Sequence, residues 1–177
     1  MNLIIAAHSG TGKSTLCKMY PNLFTDFTCA KYKYIVPNDF ISTDDESLKA
    51  SFLHEFRLHW QYDYVGAIMR SLGRKILVIP SERKVLELLE FEGIRYTLCY
   101  PERLAKDIYR QRYIDRGNNE NFLEVFVDDW DRWIDCLEDT PADTRIVMQP
   151  QQYLSDVINI KEIVENNRRI TRTFSNL

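Results

Sequence analysis

The sequence predicts an α/β fold of three layers, α/β/α, around a mainly parallel five-stranded sheet. Short apolar, β-prone runs recur along the chain, separated by stretches with helical spacing. The strongest of these runs are apolar throughout, as strands buried on both faces must be. The 177 residues, 45% of them hydrophobic, fit a single domain, 1–177, with a substantial core.

In chain order, Leu3–Ala7 ("LIIAA") is the first strand. A helix over Lys13–Tyr20 follows and stops before Pro21, and "LFTDFT" (Leu23–Thr28) is a weaker second strand. Trp60, Tyr64, Ile68 and Leu72, four apart, predict a helix over 60–72. "KILVIP" (Lys75–Pro80) is the third strand, followed by a helix over Arg83–Glu92 that Gly93 halts. "RYTLCY" (Arg95–Tyr100) is the fourth strand, and Pro101 opens a helix that runs to Arg116 and ends at Gly117. The strongest periodicity predicts one helix over Asn119–Glu138. Phe122, Phe126, Trp130 and Trp133 lie on its apolar stripe while Asp128, Asp131 and Asp135 face away, so both tryptophans read as core, with a binding platform as the alternative. "TRIVM" (Thr144–Met148) is the last strand. Asn159–Leu177, with Arg168, Arg169 and Arg172, reads as a peripheral helix.

Net charge is −3, which argues against a protein that coats nucleic acid through bulk positive charge. No apolar run approaches the roughly 18 residues of a membrane span. Cys17, Cys29, Cys99 and Cys136 have no C-x-x-C spacing and no neighbouring histidine, which argues against a metal site or a disulfide framework. The expectation is a cytoplasmic protein without a membrane partner, in the host cytoplasm if it is phage-encoded.

The chemistry concentrates after the first strand, in "AHSGTGKS" (Ala7–Ser14). Gly10 and Gly12 permit a loop wrapped around an anion, and the helix that follows adds its positive end. Lys13 supplies a point charge for the β- and γ-phosphates, and the Ser14 hydroxyl suits Mg²⁺. The stretch resembles the Walker A loop, with Ala7 in the place of the first glycine. It implies a P-loop NTPase fold in which Ala7, His8, Ser9, Gly10, Thr11, Gly12, Lys13, Ser14 and Thr15 hold ATP with Mg²⁺.

Within that class, the third strand ends "LVIPSE", with Pro80 and Ser81 where motors and switches place a magnesium-holding Asp, and no N-K-x-D is present. Both absences favour a small-molecule kinase. Asp26, near the end of the second strand, is placed to orient an acceptor or hold a magnesium water; the plain alternative is a turn-capping Asp. Arg112 and Arg116 share a helix face, beside the pair Lys106 and Arg110. A phosphate between them would relieve the like-charge repulsion, and Gly117-Asn118-Asn119 suits a movable lid over about 103–121. The alternative is a solvated face neutralised by Asp107 and Asp115.

The order of loop, strand-end acid, "WQYDY", "ILVIPS", "YTLCYPE" and "YRQRYIDRGNN" resembles a group of small phage and bacterial proteins described as nucleoside or nucleotide (adenylate kinase-like) kinases. The resemblance spans Met1 to about Val157 and implies a nucleotide-kinase-like fold in which Arg112 and Arg116 are lid arginines. It further implies an acceptor-binding insert over about 38–60. There Arg57 could bind an acceptor phosphate and Trp60, Tyr62 or Tyr64 could stack on a base; alternatively the aromatics are core and Arg57 a surface residue. His54 and His59 read as ordinary polar side chains. Gln151, Gln152 or backbone groups nearby, after the last strand, could read the adenine edge; a plain strand-to-helix turn is the alternative.

The reading is an ATP-dependent phosphotransferase in which Lys13, Asp26, Arg112 and Arg116 are catalytic and the partner is a small acceptor, a nucleotide or nucleoside. A nucleic-acid end and a non-nucleotide metabolite stay open as acceptors. The alternatives are an NTPase or nucleotide sensor that acts by changing shape, and a kinase relic that only binds nucleotide.

Overall fold

The computed structural model describes residues 3–35, 57–73 and 75–165. Five strands form one sheet: β1 (Ile4–Ala7), β2 (Phe24–Asp26), β3 (Ile76–Pro80), β4 (Thr97–Pro101) and β5 (Thr144–Met148). Their order is β2-β3-β1-β4-β5, and every neighbouring pair is parallel. β1 is central, with Ile4 opposite Leu77 and Ile5 opposite Thr97, and all four of its residues are buried.

Eight helices connect the strands among the described residues: α1 (Lys13–Met19), α2 (Ala30–Lys33), α3 (Trp60–Ser71), α4 (Arg83–Phe91), α5 (Lys106–Asp115), α6 (Glu120–Leu123), α7 (Trp130–Asp139) and α8 (Leu154–Val157). A further turn over 160–165 is helical. Because successive residues of a strand point to opposite faces, β1 feeds two cores. Ile4 and Ala6 join Leu77, Ile79, Leu98 and the buried sides of α3, α4, α5 and α7. Ile5 and Ala7 join Val78, Cys99, Leu16 of α1 and Leu154 of α8. Helices therefore cover both faces, and the five expected strands are present, the second cut to three residues.

α4 and α5 stop as the glycines foretell. Gly93 and Gly117 adopt φ of +67° and +77°. Ile94 N–H donates to Leu89 O (2.8 Å) and Asn118 N–H to Tyr113 O (3.0 Å), the bond pattern of a left-handed glycine stop.

Two expectations are corrected. Pro101 does not open a helix: β4 runs through it, and Glu102 N–H continues the ladder to Met148 O (2.9 Å). Pairing with β1 ends at Cys99, so a residue without an N–H is tolerated at the end of β4. The helical side of this segment starts instead as a tight turn over Arg103–Ala105. The long helix over Asn119–Glu138 is also broken. α6 is capped by the Asn119 side chain, which accepts from Phe122 N–H (3.0 Å). A π turn over Glu124–Asp128 then separates it from α7. Most of the acceptor-binding insert, with His54, and the arginines of the tail lie outside the described residues.

Candidate functional site

In parallel sheets ligands bind beyond the carboxyl ends of the strands, where the chain changes its direction of winding across the sheet. β1 has that place here, with β3 on one side and β4 on the other. The loop leaving it lines a cavity of about 780 Å³.

The loop is built from its own backbone. Thr11, fully buried, donates its hydroxyl to His8 O (2.7 Å). Gly10 and Gly12 both take left-handed conformations, at φ of +77° and +86°. Side chains are excluded there for a second reason: a Cβ on Gly10 would lie 2.8 Å from the Tyr113 ring, and one on Gly12 3.1 Å from Tyr153. The loop is thus pressed between α5 and the segment after β5. Tyr113 donates its hydroxyl to Ser9 O (3.1 Å), and Leu154 N–H donates to Thr11 O (2.9 Å).

Lys13 bends back over the loop, donating from Nζ to Ala7 O (3.1 Å) and His8 O (2.8 Å). Burial, aided by the Arg116 charge and opposed by Asp26, pushes its pKa down to about 8. Ser14 donates its hydroxyl to Asp26 Oδ2 at 2.5 Å, so the first turn of α1 meets the last residue of β2. His8 is buried among the rings of Tyr109, Phe126, Trp130 and Trp133, at 5.9–6.3 Å between centroids. Burial first, then the Lys13 charge, pushes its pKa down to about 3, so the imidazole is neutral.

Both expected arginines reach the cavity, in different ways. Arg116 is exposed. Arg112 is engaged: its guanidinium donates to Gly10 O (3.3 Å), Pro150 O (2.9 Å) and Gln152 O (3.2 Å). It also lies over the rings of Tyr109 (4.6 Å) and Tyr153 (4.0 Å). Arg112 thus ties α5, the loop and the β5–α8 connection together.

The structure therefore brings together Ala7, His8, Ser9, Gly10 and Gly12 through Thr15, with Asp26, Arg112 and Arg116; Thr11 sits behind them. Arg57, Trp60 and Tyr64 are not among the described residues that line the cavity. Tyr64 has no exposed surface, stacks on Phe27 at 5.6 Å and donates its hydroxyl to Phe27 O, so no base can lie on it. Trp60 is buried beside it, and Arg57 donates from Nε to Tyr34 O (3.1 Å) on the surface. Gln152 turns its side-chain oxygen to Gln149 N–H (2.8 Å).

The sequence reading missed the Lys33–Glu82 ion pair, Ser81, Tyr153, and the three rings Phe122, Phe126 and Trp133, all of which line the cavity. Ser81 and Glu82 follow the carboxyl end of β3, so the strand-end rule would have found them. Among the described residues, no group of three or more His, Cys, Asp or Glu side chains could hold a metal ion. No helix among them is long and apolar enough to cross a membrane.

No family model matches this chain, and no curated protein does. Among solved structures, it is similar to an uncharacterized protein from Eubacterium ventriosum, at 11% identity and a TM-score of 0.44, over 98% of this chain and 97% of that one.

Proposed function

We propose that the protein is an ATP-dependent phosphotransferase of the P-loop kind that acts on a nucleotide or nucleoside. One observation carries the reading: a glycine loop at the carboxyl end of the central strand gathers Lys13, Ser14, Asp26 and Arg116 around one cavity. Phosphoryl transfer asks for positioning and charge more than covalent chemistry, and these residues supply both.

Lys13 sits where an ammonium can leave the carbonyls of Ala7 and His8 for phosphate oxygens, which are stronger partners. Arg116 adds charge over the transferring group. The Ser14 hydroxyl and Asp26 carboxylate are hard oxygen donors in contact, and they fit Mg²⁺, which is held by one or two protein oxygens with the remainder from phosphate and water. When bound, the ion would neutralise charge on the phosphates. Asp26 also accepts a proton from, or orients, an acceptor hydroxyl brought to the same point. Arg112 keeps the loop in shape, and Tyr153 beside it supplies a flat face near the expected adenine site.

Calorimetry with ATP and Mg²⁺ tests the nucleotide half. Wild-type chain binds, and Lys13→Ala loses most of the affinity; absence of binding by the wild type refutes the proposal. An ADP-release screen tests the rest. Release that requires a particular acceptor supports the kinase, release without any acceptor supports an NTPase or sensor, and binding without release supports a relic.

A further inference from the structure

Phe122, Phe126 and Trp133 form a three-ring stack in the wall of the cavity. Phe122 and Phe126 lie 4.4 Å apart between centroids at 23°, and Phe126 and Trp133 lie 5.4 Å apart at 10°. All three are partly exposed, and all three line the same cavity as Lys13 and Asp26. The neighbouring Trp130 shows the contrast. It shares their sequence stripe, yet it is fully buried and donates its indole N–H to Arg103 O (2.8 Å).

The π turn over Glu124–Asp128 makes the difference. It breaks the helical stripe, so that Val127 and Trp130 turn to the core while Phe126 and Trp133 meet at the cavity. Such turns are rare and concentrate at functional sites. Trp133 is further held by its own N–H, which donates to Val125 O (2.8 Å). The other side chains of this cavity include Lys13, Lys33, Glu82 and Arg116, and an aromatic face kept among charges is what a site for a flat, partly polar ligand requires.

We propose that this stack seats the phosphoryl acceptor through a flat aromatic ring, the base of a nucleoside or nucleoside monophosphate. The inference rests on the kinase reading for the word acceptor, and it moves that subsite from the segment around Trp60 and Tyr64 to the helix pair α6–α7. The base of ATP is assigned elsewhere. The stack meets the loop at His8, whereas the Arg112–Tyr153 pair meets it at Gly10 and Gly12.

Equilibrium dialysis of the full chain against the four deoxynucleosides and their 5′-monophosphates tests this without relying on catalysis. At least one binds, and excess ATP does not displace it. Trp133→Leu weakens it by about five- to hundredfold, the range of base–aromatic stacking, while Trp133→Phe restores most of it. Phe122→Leu, also checked for folding by circular dichroism, gives the second reading should Trp133→Leu unfold. No binding from the whole panel, displacement by ATP, or affinity indifferent to both substitutions overturns the proposal. Failure of ATP to bind in the same dialysis refutes the kinase reading and leaves a nucleoside site standing.

Discussion

Ser14 and Asp26 touch at 2.5 Å although they belong to different elements, and the proposed phosphotransferase would use that contact as the meeting point of γ-phosphoryl and acceptor. Asp26→Asn keeps the shape and removes the charge. It is expected to lower acceptor-dependent ADP release by about 100-fold or more while ATP affinity in calorimetry stays nearly unchanged; full release by the variant refutes the role. His8 gives a second prediction at this scale. Its ordinary pKa of 6.5 falls to about 3 in the fold, so folding favours the neutral form. The unfolded chain binds the extra proton between those values. Stability from this residue is therefore intact above pH 6.5 and declines toward pH 3, by up to about 1.4 kcal/mol per pH unit. In urea unfolding at pH 7 and pH 4.5, His8→Phe should lose less stability on acidification than wild type. Equal losses contradict the assignment.

Between elements, Arg112 ties α5 to the loop after β1 and to the connection after β5. Arg112→Ala leaves three carbonyls short of a donor and two tyrosine faces uncovered. Urea unfolding should show a loss of about 1–3 kcal/mol. Arg112→Lys should recover little of it, because a point charge cannot span three carbonyls and stack on two rings. The elements themselves were largely legible in the sequence. β1, β3 and β4 are apolar runs without alternation, and Gly93 and Gly117 mark real helix stops. The break in Asn119–Glu138 was not legible, because Phe122, Phe126, Trp130 and Trp133 keep a helical spacing that a π turn leaves unmarked in composition. The same blindness left Trp60 and Tyr64 open between the core and an acceptor: an aromatic at helical spacing looks alike whether it faces the core or a cavity. The loop and Asp26 were legible because their chemistry sits at strand ends. The Lys33–Glu82 pair was not, because its members are brought together only by the packing of α2 against the end of β3.

Across the molecule, the two cores share the strands of one sheet, so they should unfold together. Ile79 belongs to one core and Val78, its neighbour, to the other. Ile79→Ala should cost about 2–5 kcal/mol. Fluorescence and circular dichroism should then report the same urea midpoint; two midpoints would mean that the faces unfold separately. The sheet order carries a further consequence for how the chain is made. β1 is the earliest of the five strands to be synthesised, yet both of its neighbours, β3 and β4, are encoded far downstream. At ordinary translation speeds Ile4 and Ile5 emerge roughly 4 to 15 s before β3 does. During that interval this buried strand of the nascent polypeptide has no sheet to enter, so its apolar side chains stay in water unless a ribosome-associated chaperone covers them.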